Sequence, residues 1–293
     1  MSGVNRPELL SPAGSMESLK AAVNGVCDAV YLGGKQFSAR QYAGNFDLKE
    51  LEDACDYCHL RGVKVYVTVN TVYKDEELAG FLTYIRSLYE MGVDALIMQD
   101  TGAERLVKAH FPDFPLHAST QMTCNSLADV KYWEGRGFDK IVLSRELSLE
   151  EIRHITENTE AEIETFVHGA LCVCYSGQCI MSSMLGGRSG NRGECAQPCR
   201  MSYNGGYPLS LKDMCLAGHI PELISSGVRS LKIEGRMKSP AYVYGVTKIY
   251  RRLLDEGRNA TRDEMNELSR LFSRGGFTDG YFTGRIGGDM LGV

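Results

Sequence analysis

Four cysteines in a glycine-rich segment are the residues best suited to chemistry in this 293-residue chain. Cys172 and Cys179 form a C-x(6)-C pair, Cys195 and Cys199 form a C-x(3)-C pair, and MLGGRSGNRG joins the two. Four thiolates on flexible loops suit tetrahedral coordination of zinc or ligation of an iron–sulfur cluster. Because the segment offers few apolar partners for buried thiols, metal binding is favoured over packing.

The spacing leaves the identity of the metal open. Zinc knuckles favour C-x(2)-C, so these wider intervals favour an iron–sulfur cluster without deciding the question. Cys174 lies inside the first pair and Cys215 beyond the second. Both are interpreted as packing residues, although either could replace a ligand. Cys55 and Cys58 have helical spacing and are assigned to the core.

Composition predicts a protein of the reducing cytoplasm that does not enter a membrane. The start, MSGVNRPELL, lacks the apolar core of a signal peptide, and no apolar run approaches membrane-spanning length. Without a secretory signal, ten cysteines are more often ligands or catalysts than disulfide partners. The net charge of −5 means that binding to RNA would need a local basic patch.

The elements that must position the cysteines repeat along the chain. A glycine, a hydrophobic residue and a short apolar run recur at Gly25, Gly62, Gly92, Gly137 and Gly227. Each glycine is interpreted as the cap of a preceding helix and each run as a buried parallel strand. Strands are also predicted in 8–14, 115–121 and 161–169, which makes eight.

Eight alternating strands and helices predict a TIM-type (β/α)8 barrel over residues 1–260, with a cysteine-rich insertion at 170–215 between strands seven and eight. Residues 261–293 are predicted to form a C-terminal extension. An open doubly wound sheet is the alternative, but SPAGS after the first strand is not a glycine-rich dinucleotide fingerprint. Since active sites in such barrels lie at the C-terminal strand ends, the cysteines are predicted to lie at the barrel mouth.

Polar side chains at nearly every strand end predict a pocket at this mouth. Arg145 and Arg236 suit a carboxylate or phosphate ligand, Glu234 ends strand eight together with Arg236, and His168 is either a proton-transfer group or a loop-bonding residue. The remaining candidates are Ser11, Pro12, Asn70, Gln99, Asp100, Ser119, Gln121, Ser144 and Glu146.

A basic lip for RNA phosphates is the second surface that the sequence predicts. It would comprise Arg188, Arg192, Arg200, Arg236 and Lys238. A solvated flexible loop is the equally weighted alternative. The usual metalloprotease and serine-hydrolase motifs are absent from the sequence, and a Cys172–His168 nucleophile pair would use one of the metal candidates.

These residues resemble those of peptidase family U32, the collagenase-like group. The resemblance rests on ELLSPAGS, DALIMQD, IVLSRELSLEEI, FVHGALCVCYSGQCIMSS, GECAQPCR, LSLKDM and SLKIEGRMKSPAYV. It implies either proteolysis, as the name says, or oxygen-independent hydroxylation of RNA, as in relatives that act on tRNA wobble uridine or ribosomal RNA cytidine. Many relatives continue into further domains, so the glycine-rich end suggests a fragment.

The resemblance also implies a [4Fe-4S] cluster on Cys172, Cys179, Cys195 and Cys199, with Cys215 as substitute for Cys199. It implies prephenate as a co-substrate. The leading hypothesis is therefore a barrel protein that supports hydroxylation of RNA, most simply of tRNA, through a cluster and an anionic small molecule. The alternatives are a collagenase-like peptidase and a non-catalytic cluster carrier.

Overall fold

Short apolar runs form the predicted closed barrel of eight parallel strands. The structure is a computed structural model that describes residues 6–39 and 43–292. Around the barrel each strand pairs with the next in chain order, and the last closes the ring by pairing with both the first and the seventh. The barrel strands are β1 (Glu8–Pro12), β2 (Ala29–Gly33), β3 (Lys64–Val69), β4 (Ala95–Met98), β5 (Leu116–Ala118), β6 (Lys140–Val142), β7 (Glu162–Gly169) and β9 (Ser230–Ile233).

Amphipathic helices surround the barrel and bury their apolar faces against it. They are α1 (Met16–Asn24), α2 (Leu48–His59), α3 (Leu78–Glu90), α4 (Thr101–His110), α5 (Leu127–Gly135), α6 (Leu149–Thr156), α8 (Ile220–Ser225) and α9 (Pro240–Glu256). Side-chain caps fix several starts: Asp47 and Glu50 form a capping box on α2, and Asp100 accepts from two amides of α4. Within residues 6–39 and 43–292, every helix is too short or too polar to cross a bilayer.

Most of the predicted glycine caps have the left-handed backbone that favours glycine. Gly62, Gly92, Gly137 and Gly227 have φ angles of 71°, 77°, 84° and 83°. After α1 the predicted cap is confirmed with a different backbone: Gly25 is the C-cap with a right-handed φ of −76°, and Val26 takes the left-handed φ of 64°.

The connection between β7 and β9 contains structure that the sequence did not predict. Its short helix α7 (Met181–Gly186) lies among the cysteines, and β8 (Asp213–Cys215) pairs antiparallel with the end of β7. Beyond the barrel, α10 (Arg262–Leu271) packs on α9, and β10 (Phe277–Thr278) pairs with β8. The C-terminal extension therefore adds the strand β10 to β8, which directly follows the cysteine segment.

Candidate functional site

A small pocket, partly open to solvent, lies at the C-terminal ends of the barrel strands. It contains the predicted strand-end residues Asn70, Ser119, Gln121, Arg145, Glu234 and Arg236, together with Tyr31, Thr68, Ile97, Thr120, Phe166 and Lys232. Gln99 supports this wall from behind, since its side-chain amide donates to the Asn70 carbonyl and to Gln121 Oε1, both at 2.8 Å. The pocket thus brings two guanidinium groups and an ammonium group to one cavity.

Arg145 is held in the pocket wall by charge and by an aromatic ring. Its Nη2 donates to Glu234 Oε2 at 2.8 Å, and its guanidinium carbon lies 4.0 Å from the ring centre of Phe166. The Nε atom is buried and has no hydrogen-bond partner among the residues that the structure describes. Because a buried guanidinium favours bidentate anionic partners, this arrangement suits a carboxylate-bearing ligand.

Arg236 reaches across the mouth to the opposite wall. Its Nη1 donates to Ser38 Oγ at 2.9 Å and to Thr68 Oγ1 at 2.8 Å. Gly33 makes this approach possible, since a β-carbon at that position would lie 2.5 Å from Nη1. The two arginines therefore follow different strands, β6 and β9, and line the same cavity.

The cysteine segment folds over the mouth, and residues 170–212 are called the cap below. Gly190 lies between the two cysteine pairs: a β-carbon there would lie 3.7 Å from the Cys179 carbonyl oxygen and 3.8 Å from the Cys195 β-carbon. Burial raises the pKa of the Cys199 thiol, and the charges of Cys172, Cys195 and Cys179 raise it further. All four predicted ligands are therefore within electrostatic reach of one another.

The chemistry of the donor set tests which metal group would fit. Within the part of the chain that the structure describes, no three Cys, His, Asp or Glu side chains are grouped as a site for a single metal ion. By residue type, four cysteine thiolates suit either tetrahedral zinc or an iron–sulfur cluster, so the cluster stays a prediction.

Arg200 links the two cysteine pairs directly. It follows Cys199, and its guanidinium donates to the carbonyl of Leu171, the residue before Cys172, and to Ser210 Oγ at 2.9 Å. Burial lowers the pKa of Arg200, and the charges of Cys199 and Cys172 act in the opposite direction. A fixed cation beside the thiols favours their ligating thiolate form.

The two additional cysteines differ in position. Burial raises the pKa of Cys174, and its next strongest influences are Cys179 and Cys172, so it lies within the thiol group. Cys215 lies on β8 with Sγ 3.8 Å from Tyr250 Oη, and burial raises its pKa to about 11. Cys215 thus packs against Tyr250, and its role as a substitute for Cys199 stays a prediction.

The cap is fastened to the barrel beside the pocket. Thr123 Oγ1 donates to the Ser176 carbonyl at 2.7 Å, and Ser176 Oγ accepts from the Arg145 amide at 3.4 Å. Gly177 has φ 80°, and a β-carbon there would lie 2.7 Å from the Gln121 backbone. The cap therefore touches two pocket residues through its first cysteine pair.

A second fastening joins the other half of the cap to the loop after β3. Arg192 forms a bidentate ion pair with Glu77, at 2.6 and 3.1 Å, and Asn191 Oδ1 accepts from the Val72 amide at 3.0 Å. The bonds from Arg192 lower the pKa of Glu77 to about 2.

His168 lies outside the pocket. It is 1% exposed, and Nδ1 is 3.4 Å from Tyr250 Oη in a layer with Phe277. Burial lowers its pKa to about 3, with a smaller contribution from Lys238, so the ring is neutral at physiological pH. Among the described contacts none joins His168 to Cys172.

Most of the predicted basic lip has contacts within the protein. Arg192 pairs with Glu77, Arg200 holds cap carbonyls, and Arg236 lies in the pocket. Arg188 is exposed and donates to the Glu194 carbonyl at 2.8 Å. Burial lowers the pKa of Lys238 to about 8.

Three further strand-end candidates have structural contacts, whereas the buried Ser144 hydroxyl has no hydrogen-bond partner among the described residues. Ser11 bonds Thr247 at 2.8 Å, Asp100 caps α4, and Glu146 accepts from Ser176 at 3.1 Å. Sequence reasoning missed Lys232, which lies inside a strand rather than at its end. Its position two residues before Glu234, on the same face of the strand, was the available signal.

A parallel barrel with a cysteine-bearing cap over a cationic pocket defines the class of protein. A sequence model of Peptidase family U32 matches residues 14–290. The chain belongs to this family, which confirms the resemblance stated above.

Three curated relatives match most of the chain. The 23S rRNA 5-hydroxycytidine C2501 synthase of Escherichia coli is 42% identical over 95% of this chain and 43% of its own length. The tRNA hydroxylation protein P1 of Bacillus subtilis is 37% identical over 85% of this chain and 63% of its own length. A protein of Porphyromonas gingivalis named collagenase is 35% identical over 96% and 75%. The chain thus spans less than two thirds of the first two relatives.

A solved structure supports the fold. The U32 peptidase Mk0906 superposes with a TM-score of 0.57 at 16% identity, covering 80% of this chain and 95% of the other. At this identity the match concerns the fold alone.

Proposed function

We propose that this chain is the cluster-bearing barrel of a protein that supports RNA hydroxylation. In this proposal Cys172, Cys179, Cys195 and Cys199 hold a [4Fe-4S] cluster, and the pocket binds a small dicarboxylate, prephenate. The observation that carries the proposal is the position of the four thiols in a cap that contacts the cationic pocket at Arg145 and Gln121. The cluster would supply electron transfer beside the bound anion.

A dicarboxylate is supported because the two arginines that line the pocket come from loops after different strands. Arg145 is on the β6 side and Arg236 follows β9, so each can take one carboxylate of a ligand lying between them. Glu234 fixes Arg145 in place and repels a wrongly placed anion.

RNA as the second substrate is supported by the two relatives named for rRNA and tRNA hydroxylation. Since most lip arginines have internal partners, base stacking is a better-supported mode of contact than phosphate binding. Tyr175 is 57% exposed on the cap, near the pocket, and offers an aromatic face for an unstacked base.

The test begins with the cluster. Protein purified and reconstituted without oxygen should bind iron and acid-labile sulfide in equal amounts and become coloured. Stoichiometric zinc in a colourless protein would contradict the cluster. Mass spectrometry of nucleosides from tRNA and ribosomal RNA incubated with prephenate then tests hydroxylation. A bound cluster without any modified nucleoside, in reactions and in a deletion strain alike, would favour a non-catalytic carrier.

Peptidase activity is the second candidate, because the family and one relative carry that name. The burial of His168 against Tyr250 argues against a Cys172–His168 pair. Peptide cleavage by metal-free protein that is lost in both Cys172→Ser and His168→Ala would favour proteolysis over hydroxylation.

A further inference from the structure

A line of ionisable side chains fills the barrel interior below the pocket, where apolar side chains are usual. Lys232 Nζ donates to Glu164 Oε1 at 2.8 Å. Ser230 Oγ lies 2.8 Å from Glu164 Oε2 and 3.1 Å from Glu8 Oε1. Lys140 Nζ donates to Glu8 Oε1 at 2.8 Å. These five residues are called the interior line.

The interior line joins two different environments. At one end Lys232 lines the pocket, with Nζ 4.4 Å from the ring centre of Tyr31. At the other end Lys140 Nζ lies 3.5 Å from Glu162, whose side chain is 58% exposed. Glu162 begins β7, so the second end is at the N-terminal face of the barrel. The line therefore spans the barrel from the pocket to solvent on the opposite side.

Ser230 is the link between two carboxylates that otherwise belong to separate ion pairs. A serine hydroxyl has one proton, so it donates to Glu164 or to Glu8 but not to both at once. If Glu8 is protonated, it can donate to Ser230 while Ser230 donates to Glu164. The hydroxyl can therefore transfer a proton between carboxylates without moving any heavy atom.

The pKa values of the two lysines at the ends of the interior line are shifted in opposite directions. Burial lowers the pKa of Lys232 even though Glu164 raises it. Burial also disfavours the charged form of Lys140, but Glu164 and Glu8 outweigh it and raise the pKa of Lys140. The pocket end thus holds the stronger acid. Maintaining such charges in a barrel core costs stability relative to apolar residues, which argues for a task beyond packing.

We propose that the interior line is a proton relay, with Lys232 as the catalytic acid that protonates the anionic ligand in the pocket. The Lys232 N–H bond breaks as the proton passes to the ligand, which leaves a neutral amine beside the Glu164 carboxylate. A proton from water at the N-terminal face then protonates Glu8. Glu8 donates to the Ser230 hydroxyl as that hydroxyl gives its own proton to Glu164, and Glu164 passes the proton to the Lys232 amine. Only protons move, so no oxidant or reductant is needed. The ligand identity rests on the proposed function, whereas the relay itself does not.

The first experiment measures the relay without requiring RNA hydroxylation. In holo-protein labelled with ¹⁵N-lysine and saturated with prephenate, exchange of the Lys232 Nζ protons with solvent is followed by NMR, with Lys232→Arg identifying the signal. Ser230→Ala should slow exchange at least about tenfold, while Ser230→Thr, which keeps the hydroxyl, should exchange like the wild type. Thr247→Val is the matched control, because it removes a buried hydroxyl bonded to Ser11 outside the interior line.

Equal exchange rates in the wild type and Ser230→Ala would overturn the relay, whether or not the protein hydroxylates RNA. If prephenate does not bind, the exchange is measured in the ligand-free protein and decides in the same way. If Ser230→Ala fails to fold, Ser230→Cys replaces it, since a thiol fills similar space but is a weak donor.

The second experiment follows turnover. Ser230→Ala should lower kcat about tenfold, leave the KM for prephenate unchanged and enlarge the solvent deuterium isotope effect, with recovery in Ser230→Thr. Unchanged kcat and isotope effect in a folded Ser230→Ala protein would overturn the catalytic role of the relay. A wild type that modifies no RNA would instead count against the proposed function.

Discussion

The barrel interior and the cap hold their reactive groups in different ways. In the interior, Glu164 and Lys232 are almost completely buried on paired strands, so backbone pairing fixes their positions before any ligand arrives. In the cap, Cys195 is exposed, and Met184 on α7 is 77% exposed. The comparison teaches that the barrel interior is preorganised, whereas the cap has few contacts to hold it and would depend on the cluster proposed for its thiols.

The largest expected effect is the loss of bound iron from the cap. Replacing Cys172, Cys179, Cys195 or Cys199 by serine should each remove most of the bound iron, because a cluster needs four thiolates. Cys215→Ala should retain it, since Cys215 packs against Tyr250. Iron and sulfide analysis after anaerobic reconstitution checks both. Full iron in Cys199→Ser together with loss in Cys215→Ala would reverse the ligand assignment.

The next effect is confined to the pocket. Arg145→Met should weaken prephenate binding at least about tenfold, because it removes a guanidinium from the wall. It should also destabilise the barrel by about 2 kcal/mol, since Glu234 keeps its charge without this partner. Calorimetric titration and thermal unfolding measure the two effects. Iron content should stay at the wild-type level, and a parallel loss of iron would show that the two regions are not separable.

A smaller effect tests the contact between cap and pocket. Gly177→Ala combines a left-handed backbone with a clash against Gln121, whereas Gly187→Ala has φ 66° and open space around the added methyl group. We expect Gly177→Ala to cost about 2 kcal/mol and Gly187→Ala about 1 kcal/mol. The rate of cluster loss to a chelator measures the difference. Equal rates would mean that the Gly177 contact does not hold the cap.

The smallest effect concerns the Arg192–Glu77 fastening. The folded-state pKa of Glu77 is depressed to about 2, so its stabilisation is present above the ordinary value of 4.5 and is lost as pH falls towards 2. Amide hydrogen exchange in residues 189–196 should therefore become faster as the pH falls. Glu77→Gln should make the same exchange a few-fold faster at pH 6.

The control for that fastening is Glu264→Gln, which breaks a similar ion pair with Arg258 in the C-terminal extension. It should leave exchange in the cap unchanged. Faster exchange of the cap in both variants would point to general loosening rather than to the loss of one fastening.

The barrel was predictable because parallel strands buried on both sides appear as short apolar runs between helices. The position of His168 was not, because a β-bulge between Phe166 and His168 breaks the alternation that would have pointed it into the barrel. The strands β8 and β10 were missed since segments of three and two residues have no measurable periodicity.

Part of the candidate site was also predictable from the positions of the strands. Strand ends identify Arg145, Glu234 and Arg236 as pocket residues, because a known edge of the barrel collects them. The charged interior escaped prediction, since Glu164 and Lys232 lie inside strands and not at their ends, and the rule for such barrels is an apolar core. Only the paired side chains in space reveal why these charges are tolerated.

The order of strands around the ring has a consequence for how the chain folds. The closing strand β9 pairs with β1 and β7, yet residues 170–229 must be synthesised and accommodated between β7 and β9. Closing a longer loop costs only about 0.6 kcal/mol for each doubling of its length, so the insertion is tolerated. A cluster that joins the two cysteine pairs would shorten this loop, and iron supply would then promote closure of the whole barrel.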